Sequence, residues 1–338
     1  MNNKLQNGHN TSGKFIVICG AGGFIGTNLV RYFYRLGVKR LRAVCFRQLP
    51  FWYEKLPGID YMMLDLSKSE DCRLACEGAD EVYNLAGDVG GLGFMSSCHV
   101  ESMRNVLINT HLLEAAWCCG VRKYFFASSA CIYDVARNVS VIGEKLTEED
   151  ALPARPERGY GWERLFSEIL CQEYWKGRGL RTFIARLNNV YGPYCCFEGD
   201  RVRVIPSLCR SVIRAKESQD NKISVWGDGT QLRTFLHVSD CVRGIDLLTQ
   251  CNDCVGKPVN LSSCEAVSVN DLLATLERIS GVGLSRIFDM EKPVGVHARI
   301  LDTSLAKKLL RWSPEVSLVE GVSETFSWIC SVCSSVTC

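Results

Sequence analysis

The chain has 338 residues, about two domains at roughly 150 residues each, and that is ample for a sizeable core. Apolar residues make up 47% and charged residues 22%, which excludes disorder, collagen and coiled coil. The net charge of +2, from 39 basic and 37 acidic residues, argues against a nucleic-acid partner, and no run of about 18 apolar residues exists to span a membrane.

The opening stretch MNNKLQNGHNTSGK is polar and lacks the apolar segment of a secretory signal, so residues 1–13 read as a disordered tail on a cytoplasmic chain. The 19 cysteines include two Cys-x-x-Cys pairs, Cys251/Cys254 and Cys330/Cys333, which could mark a disulfide or metal site. A long chain in a reducing cytosol needs no such staple, and the set reads as small buried hydrophobes.

In chain order, Phe15 to Cys19 is a short apolar run of the kind found in a buried parallel strand. A glycine turn follows, then a helix over Thr27 to Leu36 that Gly37 ends. Strands are expected at Leu41 to Phe46, Tyr61 to Asp65, Glu81 to Leu85, Tyr124 to Ala127 and Thr182 to Arg186. Helices are expected at Val106 to Cys119 and Tyr160 to Trp175. This alternation predicts an α/β fold, a Rossmann-like doubly wound parallel sheet. After Asn188 the rhythm weakens. Turns stand at Tyr191-Gly192-Pro193 and Gly227-Asp228-Gly229, and helices are expected at Val269 to Ile279, Ser304 to Leu310 and Leu318 to Cys330. A smaller C-terminal substrate-binding domain on the carboxyl edge of the sheet is the expectation.

Gly20-x-x-Gly23-x-x-Gly26 sits between the first strand and the first helix. Glycine lets the backbone approach a pyrophosphate, and the helix N-terminus presents free N–H groups to it. Gly20, Gly23, Phe24, Ile25 and Gly26 are therefore candidate cofactor contacts. The acidic residue that would bond a ribose 2′-hydroxyl about 20 residues on is missing: Leu41 to Pro50 holds Arg42 and Arg47 and no Asp or Glu. NAD is the expected cofactor, with NADP open because Arg47 would suit a 2′-phosphate. Asp65, just after a strand, suits either the adenine edge or an ordinary strand-end turn.

Ser128-Ser129 closes a strand, and Tyr160 opens a helix as Tyr160-x-x-x-Arg164. Residues four apart share a helix face, and a cation beside a phenol lowers its pKa. Tyr160 is thus a candidate proton acceptor for a hydroxyl undergoing oxidation.

These features resemble the extended short-chain dehydrogenase/reductase superfamily and, within it, the GDP-mannose 3,5-epimerase family. The matching stretches are Asn84 to Phe94, Ala127-Ser128-Ser129-Ala130-Cys131-Ile132-Tyr133, Tyr160-Gly161, Asn189-Val190-Tyr191-Gly192-Pro193 and Trp226 to Phe235. The likeness runs from about Phe15 to Trp328. It implies an NAD(P)-binding domain over 14–187, with a return around 235–262, and a nucleotide-sugar domain over 188–234 and 263–338. It also implies a GDP-sugar substrate and a homodimer. Ser129 and Tyr160 would act at the C4 hydroxyl, Cys131 would be the base at C3 and C5 through its thiolate, and Arg164 would stand beside Tyr160. Gly93, Asn189, Gln231, Arg233 and Arg299 would hold the nucleotide diphosphate and sugar, Arg suiting paired phosphate oxygens.

Three positions depart from the family. Arg164 stands where the family has Lys after Tyr-x-x-x, Arg203 stands where it has its catalytic acid Lys, and Cys45 stands where it has the ribose-binding Asp. Arginine gives up a proton very poorly. The sequence therefore leaves open inversion at C3, C5 or both, a related GDP-sugar, and water as the acid. Two other readings stay beside it: a 4-epimerase or 4-reductase, which would leave Cys131 unexplained, and a non-catalytic nucleotide-sugar-binding regulatory subunit.

Overall fold

β1 (Phe15–Cys19) is buried at all five positions, as a strand covered on both faces must be. The computed structural model describes residues 13–50, 53–134, 144–218, 220–292, 294–295 and 298–336. All but Gly13 of the expected tail therefore lies outside the described residues. After β1 come α1 (Phe24–Arg35), β2 (Arg40–Cys45), β3 (Asp60–Met63), α2 (Ser69–Cys76) and β4 (Glu81–Asn84). Then follow α3 (Leu92–Ser97), α4 (His99–Met103), α5 (Asn105–Cys118), β5 (Lys123–Ser129), α6 (Tyr160–Arg178) and β6 (Arg181–Leu187).

With β11 (Pro258–Leu261), these strands form one seven-stranded sheet in the order β11-β6-β5-β4-β1-β2-β3. Every pairing in it is parallel. The order reverses between β1 and β4, where a doubly wound sheet opens a crevice at the carboxyl ends of its strands. One core packs α1 and α8 (Val238–Gln250) on one face, through Leu29, Phe33, Ile245 and Leu248. The other packs α2 and α5 on the opposite face, through Cys72, Cys76, Leu112 and Ala116. The described cysteines are free thiols, nine of them buried, and no group of three or more metal-ligating side chains occurs among the described residues.

α1 begins at Phe24, three residues before the sequence reading. Gly23 is its extended N-cap, and Gly26 lies inside the first turn. A glycine-rich stretch has poor helix propensity, so the pattern placed the start too late. Tertiary contact decides instead: a Cβ on Gly26 would collide with the Gly20 carbonyl oxygen.

The remaining elements lie outside that sheet, α10 among them packing back on the α1 and α8 face. They are β7 (Val190–Tyr191), α7 (Val204–Ser218), β8 (Lys222–Trp226), β9 (Leu232–Thr234), β10 (Leu236–His237), β12 (Ala266–Ser268), α9 (Val269–Ser280), β13 (Ser285–Asp289), β14 (Ala298–Arg299), α10 (Ser304–Leu310) and α11 (Leu318–Val336). α7, α9 and α11 close a separate core around Val212, Leu272, Val322 and Phe326. β8 pairs with β13, and β9 lies between β12 and β14. α7 escaped the sequence reading, although Pro206 in its first turn is well tolerated there.

One buried ion pair ties α6 to the sheet. Arg186 on β6 lies 2.8 Å from Glu168 on α6, both nearly inaccessible. Arg186 also donates to the Tyr133 hydroxyl at 3.1 Å and the Glu148 carbonyl at 2.6 Å, and the Ser128 hydroxyl donates to Glu168. Removing one member of a buried pair strands a charge and costs about 3–5 kcal/mol, whereas an apolar pair of similar volume restores most of it. Arg186→Met should therefore lower the unfolding free energy by that amount, and Arg186→Met with Glu168→Leu should recover most of the loss. Urea unfolding of the two variants checks both, and equal losses would contradict the argument.

Candidate active site

The glycine turn is built for close backbone approach. Gly20 has φ +82°, and a Cβ there would lie 2.7 Å from the Leu85 carbonyl carbon and the Ala86 nitrogen. No side chain caps α1, so the N–H groups of its first turn, at Phe24, Ile25 and Gly26, have no intrahelical acceptor and face outward as an anion cradle. Cys45 ends β2 beside the turn, its sulfur 3.2 Å from where a Gly22 Cβ would stand.

Arg42, one of the two arginines considered for a 2′-phosphate, is already engaged. It pairs with Asp60 at 2.7 Å and donates to the carbonyls of Leu74, Ala75 and Glu77 that end α2. Arg47 rests over the Phe46 ring. One Asp65 carboxylate oxygen accepts from both the backbone and the hydroxyl of Ser67. The hydroxyl bond holds the carboxyl below its ordinary range, as in a strand-end turn.

β5 delivers Ser129 to the crevice, and a single tight turn, Ala130–Ile132, presents Cys131. The Ser129 hydroxyl accepts from the Cys131 N–H at 3.2 Å. Tyr160 is the first residue of α6, and Gly161 behind it has no Cβ because one would collide with the Cys131 carbonyl. Ser129, Cys131 and Tyr160 line one cavity of about 910 Å³, together with Gly93, Glu157, Asn189, Arg201, Arg203, Gln231, Arg233 and Arg299.

Arg164 lies one turn along α6, its guanidinium 4.8 Å from the Tyr160 ring centroid. It is buried, donates to the Ala127 carbonyl at 3.0 Å and lies 3.0 Å from Glu163. Glu163 in turn accepts from Asn109 and Ser167. The expected depression of the Tyr160 pKa is not what results. Burial pushes the phenol up; Arg164 and Arg203 pull it down, but Cys131 and Glu163 push with burial, and the net direction is upward. Cys131 behaves alike: burial, then Glu157, raise its thiol to about 11 against the pull of Arg299 and Ser129.

The far wall is cationic. Arg299 donates to Glu157 at 2.6 Å, while its Nη2 is buried with no hydrogen-bond partner among the described residues. Gln231 donates to the Trp226 carbonyl at 3.1 Å, and its Oε1 is likewise buried and unpartnered among the described residues. Burial and the nearby Arg299 bring Arg233 down to about 10. Two crowded guanidiniums offer paired donors to an anion, and the unpartnered Arg299 Nη2 and Gln231 Oε1 offer one further donor and one acceptor. Asn189 sits at φ +40° and gives its amide N–H to the Thr234 carbonyl. Gly93 lies in α3, where a Cβ would meet nothing nearer than Trp226 at 3.8 Å; packing does not demand glycine there, and a side chain would enter the cavity.

Two features escaped the sequence reading. Arg201 clamps the glycine-rich loop before α3: it pairs with Asp88 at 2.6 Å, lies 4.1 Å from the Phe94 ring centroid, and its carbonyl accepts from the Gly91 N–H. Glu157 lies against Cys131, and only its place three residues before Tyr160 could have flagged it.

Comparison with known proteins places these features in context. The family described as "NAD dependent epimerase/dehydratase family" matches residues 16–262. A GDP-mannose 3,5-epimerase from Arabidopsis thaliana is 36% identical over 315 residues, covering 93% of this chain and 81% of the relative. Among solved structures, a UDP-glucose 4-epimerase from Thermotoga maritima has the same fold, with a TM-score of 0.83 at 22% identity over 94% of this chain and 99% of that one. MoeE5 in complex with UDP-glucose and NAD gives a TM-score of 0.79 at 27% identity, with the same coverage of each chain.

The electrostatics predict a direct titration result. Tyrosinate absorbance of the wild type minus that of Tyr160→Phe, in the ligand-free protein, should titrate with its midpoint above pH 10, and Arg164→Met should move it higher still. A midpoint below 10 would show that the arginines outweigh burial.

Proposed function

The chain belongs to the NAD dependent epimerase/dehydratase family, and from that we propose a nucleotide-sugar epimerase that inverts C3, C5 or both of a GDP-mannose-like sugar through a transient 4-ketone. The observation that carries the reading is the convergence of Ser129, Cys131 and Tyr160 in one cavity walled by arginines.

The residues of the glycine turn fit NAD, since no side chain caps the first-turn N–H groups of α1. Gly20, Gly23, Phe24, Ile25 and Gly26 would hold its pyrophosphate, and when bound it accepts and returns the C4 hydride. NAD follows from the family; Arg42 is committed to Asp60 and the end of α2, which leaves Arg47 as the arginine for a 2′-phosphate in NADP.

Tyr160 takes the proton of the C4 hydroxyl that Ser129 orients. The ketone acidifies the hydrogens on C3 and C5, and Cys131 removes one. Arg203 is exposed on the cavity wall. It keeps a fixed positive charge where an enolate develops, but it cannot serve as acid, so water supplies the returning proton. Asn189, Gln231, Arg233, Arg299 and the Gly93 backbone hold the diphosphate and sugar.

No helix among the described residues is long and apolar enough to cross a membrane. Val100 on α4, Leu107 on α5, and Trp162, Phe166 and Ile169 on α6 leave an apolar face exposed. The α6 residues follow helical spacing, and the face supports a homodimer across α5 and α6. Trp162→Glu with Phe166→Glu should sediment as a monomer where the wild type sediments as a dimer; an unchanged dimer would place the interface elsewhere.

Incubation with GDP-mannose in D2O tests the chemistry. Mass spectrometry and proton NMR should find deuterium at C3, C5 or both. Cys131→Ala should lose the label, and Tyr160→Phe should lose C4 oxidation, with NAD binding kept in both by calorimetry. Inversion at C4 without label would favour the 4-epimerase reading. Binding without any turnover across GDP-sugars would favour a regulatory subunit.

A further inference from the structure

A base needs somewhere to put its own proton, and the cavity offers one group for this. We propose that Glu157 is the proton partner of Cys131: the two side chains share one proton, and Glu157 passes it between the half-buried thiol and solvent. The proposal deepens the reading of Cys131 as the carbon base and rests on it.

The geometry is local and fixed. The Glu157 N–H donates to the Cys131 carbonyl at 2.9 Å, and the collision that a Gly161 Cβ would make with that same carbonyl locks the start of α6 against the turn. The Glu157 carboxyl therefore lies against the thiol, with one oxygen held by Arg299 at 2.6 Å. Its side chain is 30% exposed, so one end of the pair meets the thiol and the other meets water. The groups that act electrostatically on Cys131, or on which it acts, are Glu157, Arg299, Ser129, Tyr160 and Arg164. Tyr160 serves the C4 hydroxyl, and Ser129 already accepts from a backbone N–H. The arginines hold their protons. Glu157 is the one carboxylate among these, an acceptor for the thiol proton.

The step balances within the pair. The Sγ–H proton moves to a Glu157 carboxylate oxygen, leaving a thiolate and a neutral carboxyl. The thiolate takes the hydrogen beside the C4 ketone as a proton, and the C–H electron pair becomes the enolate. Glu157 releases its proton to water. A proton from water then returns to carbon, and the pair, again holding one proton, is back at rest. Glu157 acts through Cys131 and is a positioning and relay residue.

Alkylation of Cys131 by iodoacetamide, followed peptide by peptide across a pH series, reads the pairing without substrate. In Glu157→Gln the thiolate loses a repelling neighbour, so the midpoint should fall below that of the wild type. The rate at pH 8 should then rise about tenfold for each unit of that fall. Label exchange from D2O into GDP-mannose should instead drop by about 10²-fold, and Glu157→Asp, which keeps the carboxylate, should restore most of it. An unmoved midpoint in a folded Glu157→Gln protein overturns the pairing. A lowered midpoint with undiminished exchange overturns the relay. Wild-type protein that exchanges nothing overturns the role of Cys131 as base, and the relay with it, while a lowered midpoint still supports the pair.

Discussion

The position of α6 against β5 is the constraint on which the site depends. Tyr160 begins α6 and Ser129 ends β5, so a slip of one residue would turn them away from each other. Apolar packing resists separation but fixes register weakly, because one aliphatic contact resembles the next. Charge and hydrogen bonding are less forgiving. Glu168 must meet both Arg186 and Ser128, and Glu163 must meet Arg164, Asn109 and Ser167. These acids are spaced five residues apart on α6, one bound towards β6 and the other towards α5. A shifted helix would bury at least one carboxylate unpaired, and the penalty is several kcal/mol. The same arginine on β6 reaches Tyr133, which carries the constraint into the turn that presents Cys131.

How much of this the sequence made legible follows from the range of the forces involved. β1, β5 and β6 were readable because a strand covered on both faces carries a short apolar run, Phe15–Cys19 in β1, Tyr124 to Ala127 in β5 and Phe183 to Ala185 in β6, and that signal is local. α6 was readable from its periodicity and from Tyr160 at its start. α1 was placed three residues late because Gly26 disfavours helix locally, while the collision that demands glycine comes from Gly20 across the turn. α7, with β8 and β9 after it, was not readable: its apolar residues serve the core shared with α9 and α11, which lie far along the chain.

The site shows the same division. Gly20, Ser129, Tyr160 and Cys131 carried motif signals, and the structure brings the last three to one cavity. Spacing could not show that Arg42 is committed to α2 and Asp60, nor that Asp65 turns onto Ser67. It also suggested that Arg164 would depress Tyr160. A cation four residues away is visible in a sequence; the burial that opposes it and the Glu163 that shares its charge come from elements folded on top.

The balance of charge around the cavity then decides how protons can move. Arg201, Arg203, Arg233 and Arg299 line it, and among the described residues of its wall there is no lysine. Four guanidiniums hold anionic groups firmly and exchange no protons near neutral pH. In the proposed reaction, binding and proton transfer would thereby be separated: the arginine wall would hold the ligand electrostatically, and transfer would fall to the side where Tyr160, Cys131 and Glu157 meet. Lysine at the Arg203 position would join the two functions in one residue. Arginine keeps the field while removing the acid, so a carbanion formed there is stabilised from the arginine side and reprotonated only by what water or the thiol side can deliver. The stereochemical outcome of the proposed reaction would then depend on which face of the sugar water can reach, a matter of cavity shape around Gly93 and Trp226 more than of the acidity of any one side chain.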